Sequence, residues 1–196
     1  MRLVIFMKQV FLGLVVMSFN LGIAQGLRVD RGNSNMVEFF CKATLNNFSG
    51  KTDAVNGELV WDGGRISDRS VVQLSVDLDS LKSGIGLRDS HMRDGYLETG
   101  KFPECKYSGK IVEVDSLSPF KYKIKTSGDF YLHGNSKNIS AEGTLTDFGN
   151  LFKLESTFTI YLSDYKIKQP SFLFNTVSNE VKISLTIYFR KEGKEF

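Results

Sequence analysis

Along "EVKISLTIYF", Val181, Ile183, Leu185, Ile187 and Phe189 occupy alternate positions, with Lys182, Ser184, Thr186 and Tyr188 between them. Successive side chains of a strand point to opposite faces, so this spacing makes a strand with one dry and one wet face and fits no helix. The pattern recurs. "VVQLSVDL" sets Val72, Leu74, Val76 and Leu78 against Gln73, Ser75 and Asp77. "FKYKIKTSGDFYL" sets Phe120, Tyr122, Ile124, Phe130 and Leu132 against Lys121, Lys123 and Lys125. "LFKLESTFTIYL" sets Phe152, Leu154, Phe158, Ile160 and Leu162 against Lys153, Glu155, Thr157 and Thr159. "MVEFFCKA" sets Val37, Phe39 and Cys41 against Glu38, Phe40 and Lys42, and weaker runs lie in "DAVNGELVW", "ECKYSGKIVE" and "KNISAEGTL".

These runs predict about eight strands, separated by turn residues such as "NNFSG", "DGGR" and "HGNSK". Each strand has a polar face, so the all-β architecture is a sandwich or a closed antiparallel barrel. A barrel of about eight strands leaves an interior wide enough for side chains or for one small ligand. Sixteen Phe, one Trp and only three Pro suit long, uninterrupted strands. The Lys121, Lys123, Lys125 stripe has the spacing of the pleat and reads as a solvated outer face. Cys41 and Cys105 both fall at alternating apolar positions, which favours two buried free thiols over a bridge.

The N-terminal run "MKQVFLGLVVMSFNLGIAQG" has a lysine, an apolar stretch and then small residues at Gly22 and Ala24. That is the layout of a secretory signal peptide rather than of a membrane anchor, because Ser18 and Asn20 interrupt the apolar stretch. The expectation is therefore a signal peptide over 1–24 and one barrel domain over 25–196, working in the periplasm or secreted. Losing 1–24 removes Arg2 and Lys8 and no acid, which leaves the formal charge two below the full chain's +3. A near-neutral mature protein gives no basic surface for nucleic acid.

Within "GLRDSHMRDGYLETGKFPECKY" the period changes. Met92, Tyr96 and Leu97 share one side of a helix expected over Ser90–Leu97, with Asp89 as its cap, an Asp89–Arg93 pair and a stop at Gly100. A short helix with one apolar side suits the mouth of a barrel. The acidic pair Asp94 and Glu98 reads as solvated charge.

The same stretch resembles the signature of the YceI-like family: an Arg-Asp, a His-hydrophobic pair, an aromatic pair and a Phe-Pro, here Arg88, Asp89, His91, Met92, Tyr96, Leu97, Phe102 and Pro103. "GELVWD", "GDFYLHGNSKNIS", "LSDYKI" and "NEVKISLTIYF" resemble further segments of that family in the same order, with Met92, Tyr131, Asn135 and Lys166 as departures. The resemblance implies an exported lipocalin-like barrel whose interior holds one long apolar chain, a polyisoprenoid or an isoprenoid quinone, for transport, storage or sequestration. It implies no cofactor beyond that ligand, and it leaves room for transient contact with a membrane.

A lined tunnel is enough for such a ligand, because each CH₂ taken from water releases roughly 0.8 kcal/mol. Phe39, Leu74, Val76, Phe130, Leu132, Phe158, Ile160, Ile183 and Leu185 are the candidates for its wall. The same residues would equally fill a solid core. Met92, Tyr96 and Leu97 are the candidate lid, and Arg88, Asp89 and His91 the candidate partners for a polar headgroup. No G-x-S-x-G, H-E-x-x-H or C-x-x-C is present, and no spacing supports a metal site among His91, His133 and the cysteines. Catalysis is not expected. The alternatives are an enzyme acting on a bound lipid through His91 with Asp89, and a filled barrel serving as an interaction module.

Overall fold

Every strongly alternating run is a strand in the computed structural model, which describes residues 25–62, 70–172 and 175–191. The expected signal peptide over 1–24 lies outside these residues. In chain order the strands are β1 (Gln25–Val29), β2 (Met36–Ala43), β3 (Phe48–Thr52), β4 (Val55–Trp61), β5 (Val71–Asp77), β6 (Glu104–Ser118), β7 (Lys121–Leu132), β8 (Asn135–Asp147), β9 (Leu151–Tyr161), β10 (Ser171–Phe172) and β11 (Asn175–Lys191). A short helix, α1 (Gly86–His91), runs directly into a π-helical turn, Met92–Leu97. A 3₁₀ turn, Leu162–Tyr165, follows β9.

All the pairings are antiparallel, and β5 to β9 follow one another in order. The ring closes on β11, which pairs with β9 on one side and with both β1 and β2 on the other. β1 and β2 lie along the same edge of β11 and act as one strand broken near Asn35. β3 and β4 likewise continue one another beside β2 and β1. Ten of the eleven segments thus make a closed antiparallel barrel of eight staves, one of the two architectures the alternation allows, and β10 pairs with β11 off this ring.

One end of this barrel is solid. Leu27, Leu59, Trp61, Ile111, Leu145, Phe152 and Phe189 pack there without solvent contact to speak of. A second apolar cluster, with Phe130, Leu132, Ile160, Leu162 and Tyr165, lies toward the other end, under the helix. The lysine stripe faces outward as expected, with Lys123 on Glu142 at 2.8 Å and Lys125 on Glu113 at 2.7 Å. Phe120 departs from its expected inward place. It sits in the β6–β7 turn with φ +64° and is 65% exposed, because the ladder ends at Ser118–Lys121, just before the alternation reaches it.

Candidate functional site

Between the solid end and the helix the barrel encloses a cavity of about 960 Å³. That is the upper end of the roughly 300–1,000 Å³ usual for small-molecule sites. All nine predicted wall residues line it: Phe39, Leu74, Val76, Phe130, Leu132, Phe158, Ile160, Ile183 and Leu185. Phe39, Leu74, Phe158, Ile183 and Leu185 point inward yet stay only half-buried. In a filled interior packed at crystal-like density their neighbours would cover them. They face open space, so the core is solid at its floor and hollow above.

The wall carries few polar groups, and those are engaged or neutral. The Tyr107 hydroxyl donates to Thr126 Oγ1 at 2.7 Å, and Thr126 Oγ1 donates to the Ala141 carbonyl at 3.3 Å. In the apolar cluster under the helix, off the cavity wall, burial pushes the Tyr165 phenol up to about 12, and the nearby Asp164 charge adds to the rise. Cys41 and Cys105 are free thiols on the same wall. Burial pushes them up to about 11 and about 12, so they are thiols rather than metal-binding or nucleophilic thiolates near neutrality. Among the described residues no three His, Cys, Asp or Glu gather as a metal site.

The helix differs from its predicted form. It begins at Gly86, four residues before Ser90, and Asp89 does not cap it; the cap position is Ile85, which provides no side-chain bond. Asp89 instead reaches back over the helix start to the Ser83 backbone N–H at 2.8 Å and to the Ser83 hydroxyl. These bonds, the hydroxyl's foremost, hold its carboxyl below the usual range, with Arg93 and Arg88 adding their charges. Arg93 is thus an electrostatic neighbour of Asp89 but makes no ion pair with it. The helix stops at Glu98, in the left-handed conformation with φ +48°, and not at Gly100.

Glu98 is not a free solvated charge either. Its carboxylate meets His133 Nε2 at 2.6 Å, while His133 Nδ1 lies 3.1 Å from the Tyr165 carbonyl. His133 and Gly134 form a two-residue turn with both φ values positive, and a Cβ on Gly134 would lie 2.7 Å from the Phe102 ring. The ring also packs edge-on against His133 at 4.9 Å. The Phe102-Pro103 and His133-Gly134 segments, distant in sequence, therefore form one joint at the rim.

Met92, Tyr96 and Leu97 face the cavity and pack on the upper cluster, as a lid would. Both ends of this helical segment are pinned: at the start by Asp89 and Arg88 on Ser83, and at the end by Glu98 on His133 and by Thr99 on Asp79 at 2.5 Å. Of the three headgroup candidates, Arg88 and His91 border the cavity and Asp89 does not. Arg88 spends its guanidinium on Ser83, through Nε to the hydroxyl and Nη2 to the carbonyl, both 2.7 Å, and stacks 4.6 Å above Phe48. His91 is exposed at the edge and has no bond to Asp89, so the acid–base pair of the enzymatic alternative does not form. Sequence reasoning missed Tyr107, Ile139 and Ala141 as lining residues, although each falls on the alternating phase of a weaker run.

If the expected isoprenoid occupies this cavity under a lid, Tyr96→Ala with Leu97→Ala should speed its release about tenfold while lowering the melting temperature of the lipid-free protein only slightly, since the strand ladders do not depend on this turn. Stopped-flow release and thermal unfolding test this as a pair. A large loss of stability with an unchanged off-rate would make the turn a piece of core. His91→Ala should alter release only of ligands whose polar head reaches the mouth.

A YceI-like domain matches residues 27–189. A UPF0312 protein of Vibrio parahaemolyticus and another of Vibrio campbellii are each 34% identical over 113 residues, 57% of this chain. The chain spans about half the length of these curated relatives, 53% in each case. Among solved structures, BcnA of Burkholderia cenocepacia superposes with a TM-score of 0.67 at 14% identity, covering 82% of this chain and 98% of that one. A polyisoprenoid binding domain from Saccharophagus degradans, implicated in plant cell wall breakdown, gives 0.66 at 14% identity, covering 87% and 100%. At such identities the likeness is one of fold.

Proposed function

Because this chain belongs to the YceI-like family, we propose that it is a lipid-binding protein whose cavity holds one long apolar chain, a polyisoprenoid or an isoprenoid quinone. The observation that carries this reading is the ring of inward apolar residues left half-buried by a cavity of about 960 Å³. Such a wall gains from any apolar chain that fills it, at roughly 0.8 kcal/mol per CH₂ withdrawn from water. The polyisoprenoid binding domain of the same fold supports the choice of ligand class. Ile85 and Leu87, exposed where the cavity opens, favour brief contact with a bilayer while the chain is loaded. Transport, storage and sequestration all require only such reversible holding, and no catalytic step.

Native mass spectrometry of the purified protein, followed by solvent extraction, tests the reading. The expected result is an adduct of isoprenoid mass that leaves with the solvent. A clean unliganded mass, unchanged after incubation with ubiquinone, would sink it. On the same reading the N-terminal apolar run directs export, and the mature chain begins near Gln25. N-terminal sequencing of exported material should find that start; Met1 or Met7 retained in a membrane fraction would contradict it.

A further inference from the structure

The barrel wall has a slit. β8 and β9 pair only from Asp147–Phe152 to Gly143–Ser156, and no ladder pair joins them beyond that rung. The upper halves of both strands are nevertheless regular. β8 pairs with β7 as far as Leu132–Asn135, and β9 pairs with β11 as far as Glu180–Tyr161. Each is held by its other neighbour, so the separation is built in and is not fraying of a strand end. The slit is framed at both ends. Below, the Ser156 hydroxyl donates to the Glu142 carbonyl at 2.5 Å. Above, the Asn135 amide donates to the Tyr165 carbonyl at 3.1 Å, tying the β7–β8 turn to the 3₁₀ turn after β9.

Continuing the register would set Ala141 opposite Phe158 and Ile139 opposite Ile160. All four line the cavity, so the space inside reaches the slit. An antiparallel strand turns backbone N–H and C=O groups to both of its sides. The two lips therefore carry groups without ladder partners, and these need water. The slit thus joins an apolar interior to solvent without displacing the lid, which is pinned at both ends. We propose that it is a second doorway, through which the apolar chain of a lipid passes sideways between the cavity and its surroundings. This rests on the lipid-binding reading above.

The test follows a dansyl-tagged geranylgeranyl chain exchanging between the protein and phosphatidylcholine vesicles by stopped flow. Thr159→Trp, on the exposed outer face of the β9 lip and outside the cavity lining, overhangs the slit without touching the lid. It should slow uptake and release about tenfold each while leaving the equilibrium affinity nearly unchanged, because a doorway sets the barrier and not the wells it separates. Wild-type rates at wild-type affinity would overturn the doorway and leave lipid binding intact. Failure of the unaltered protein to take up the probe would overturn both. Amide hydrogen exchange on the unaltered protein tests the doorway without a substitution: those amides of 137–142 that face β9 should exchange well ahead of those of 143–147 that face it, while the amides bonded to β7 stay protected in both stretches. Equal, slow exchange across both would mean that the lips are closed and would refute the proposal.

Discussion

Val76→Arg should cost several kcal/mol and leave little folded protein, whereas Lys123→Glu, which turns an exposed ion pair into an exposed repulsion, should cost only a small fraction of that. Val76 is 7% exposed and sits on the inner face between Val55 and Cys105, so although it borders the cavity an arginine there must push aside packed neighbours and finds no counter-charge. Leu185→Arg differs instructively. Leu185 is half-buried against the cavity, so the guanidinium has room, and the expected outcome is a folded barrel that no longer retains its ligand. Lys123 lies on the outer face, where its pair with Glu142 is exposed on both sides and screened by solvent. Circular dichroism melts and lipid retention by mass spectrometry measure the three together. Equal effects from inward and outward changes would mean that the strand phase is misassigned.

Gly128→Val should be comparably severe for a different reason. Gly128 faces Gly109 across β6 and β7, and a Cβ on it would lie 2.2 Å from the Gly109 Cα and 2.2 Å from the Ser108 carbonyl oxygen. Both are backbone atoms, so no side chain can swing aside and the two strands must part. The expected loss is roughly 3–5 kcal/mol, in the tail reserved for broken backbone packing. Gly95→Ala is the control: nothing stands within 4 Å of its Cβ position, and alanine should be neutral or better. Similar melting curves for both variants would show that β6 and β7 do not approach so closely.

The barrel was legible because alternation is a local property. Each strand states its own phase, and the nine wall residues were found by phase alone. Whether that wall encloses space was not legible, since Ile183 in a solid core and Ile183 against a void are the same letter. The difference lies in how far apart opposite staves stand. The helix start was misread because Asp89 looked like a cap, while its partner Ser83 is fixed by the path of the preceding loop. Glu98 looked free because His133 is 35 residues away. The slit between β8 and β9 was invisible for a related reason: both halves alternate well, and alternation does not say whether two neighbouring strands touch.

The closure of the ring on β11 bears on when this protein acquires its shape. β11 is the common neighbour of β1, β2 and β9, and pairs such as Val29–Phe189 join residues about 160 apart in sequence. Contacts so distant are formed late, because the loop entropy must be paid before they reward it. Until residues 175–191 are available, β2 and β9 each present an unpaired edge, and the barrel has neither an inside nor an outside. Closure of the barrel is therefore held back until nearly the whole described chain has been synthesised. Over that interval neighbouring strands can pair but the sheet stays open, and a truncation within β11 leaves two sticky sheet edges in place of a slightly shorter barrel.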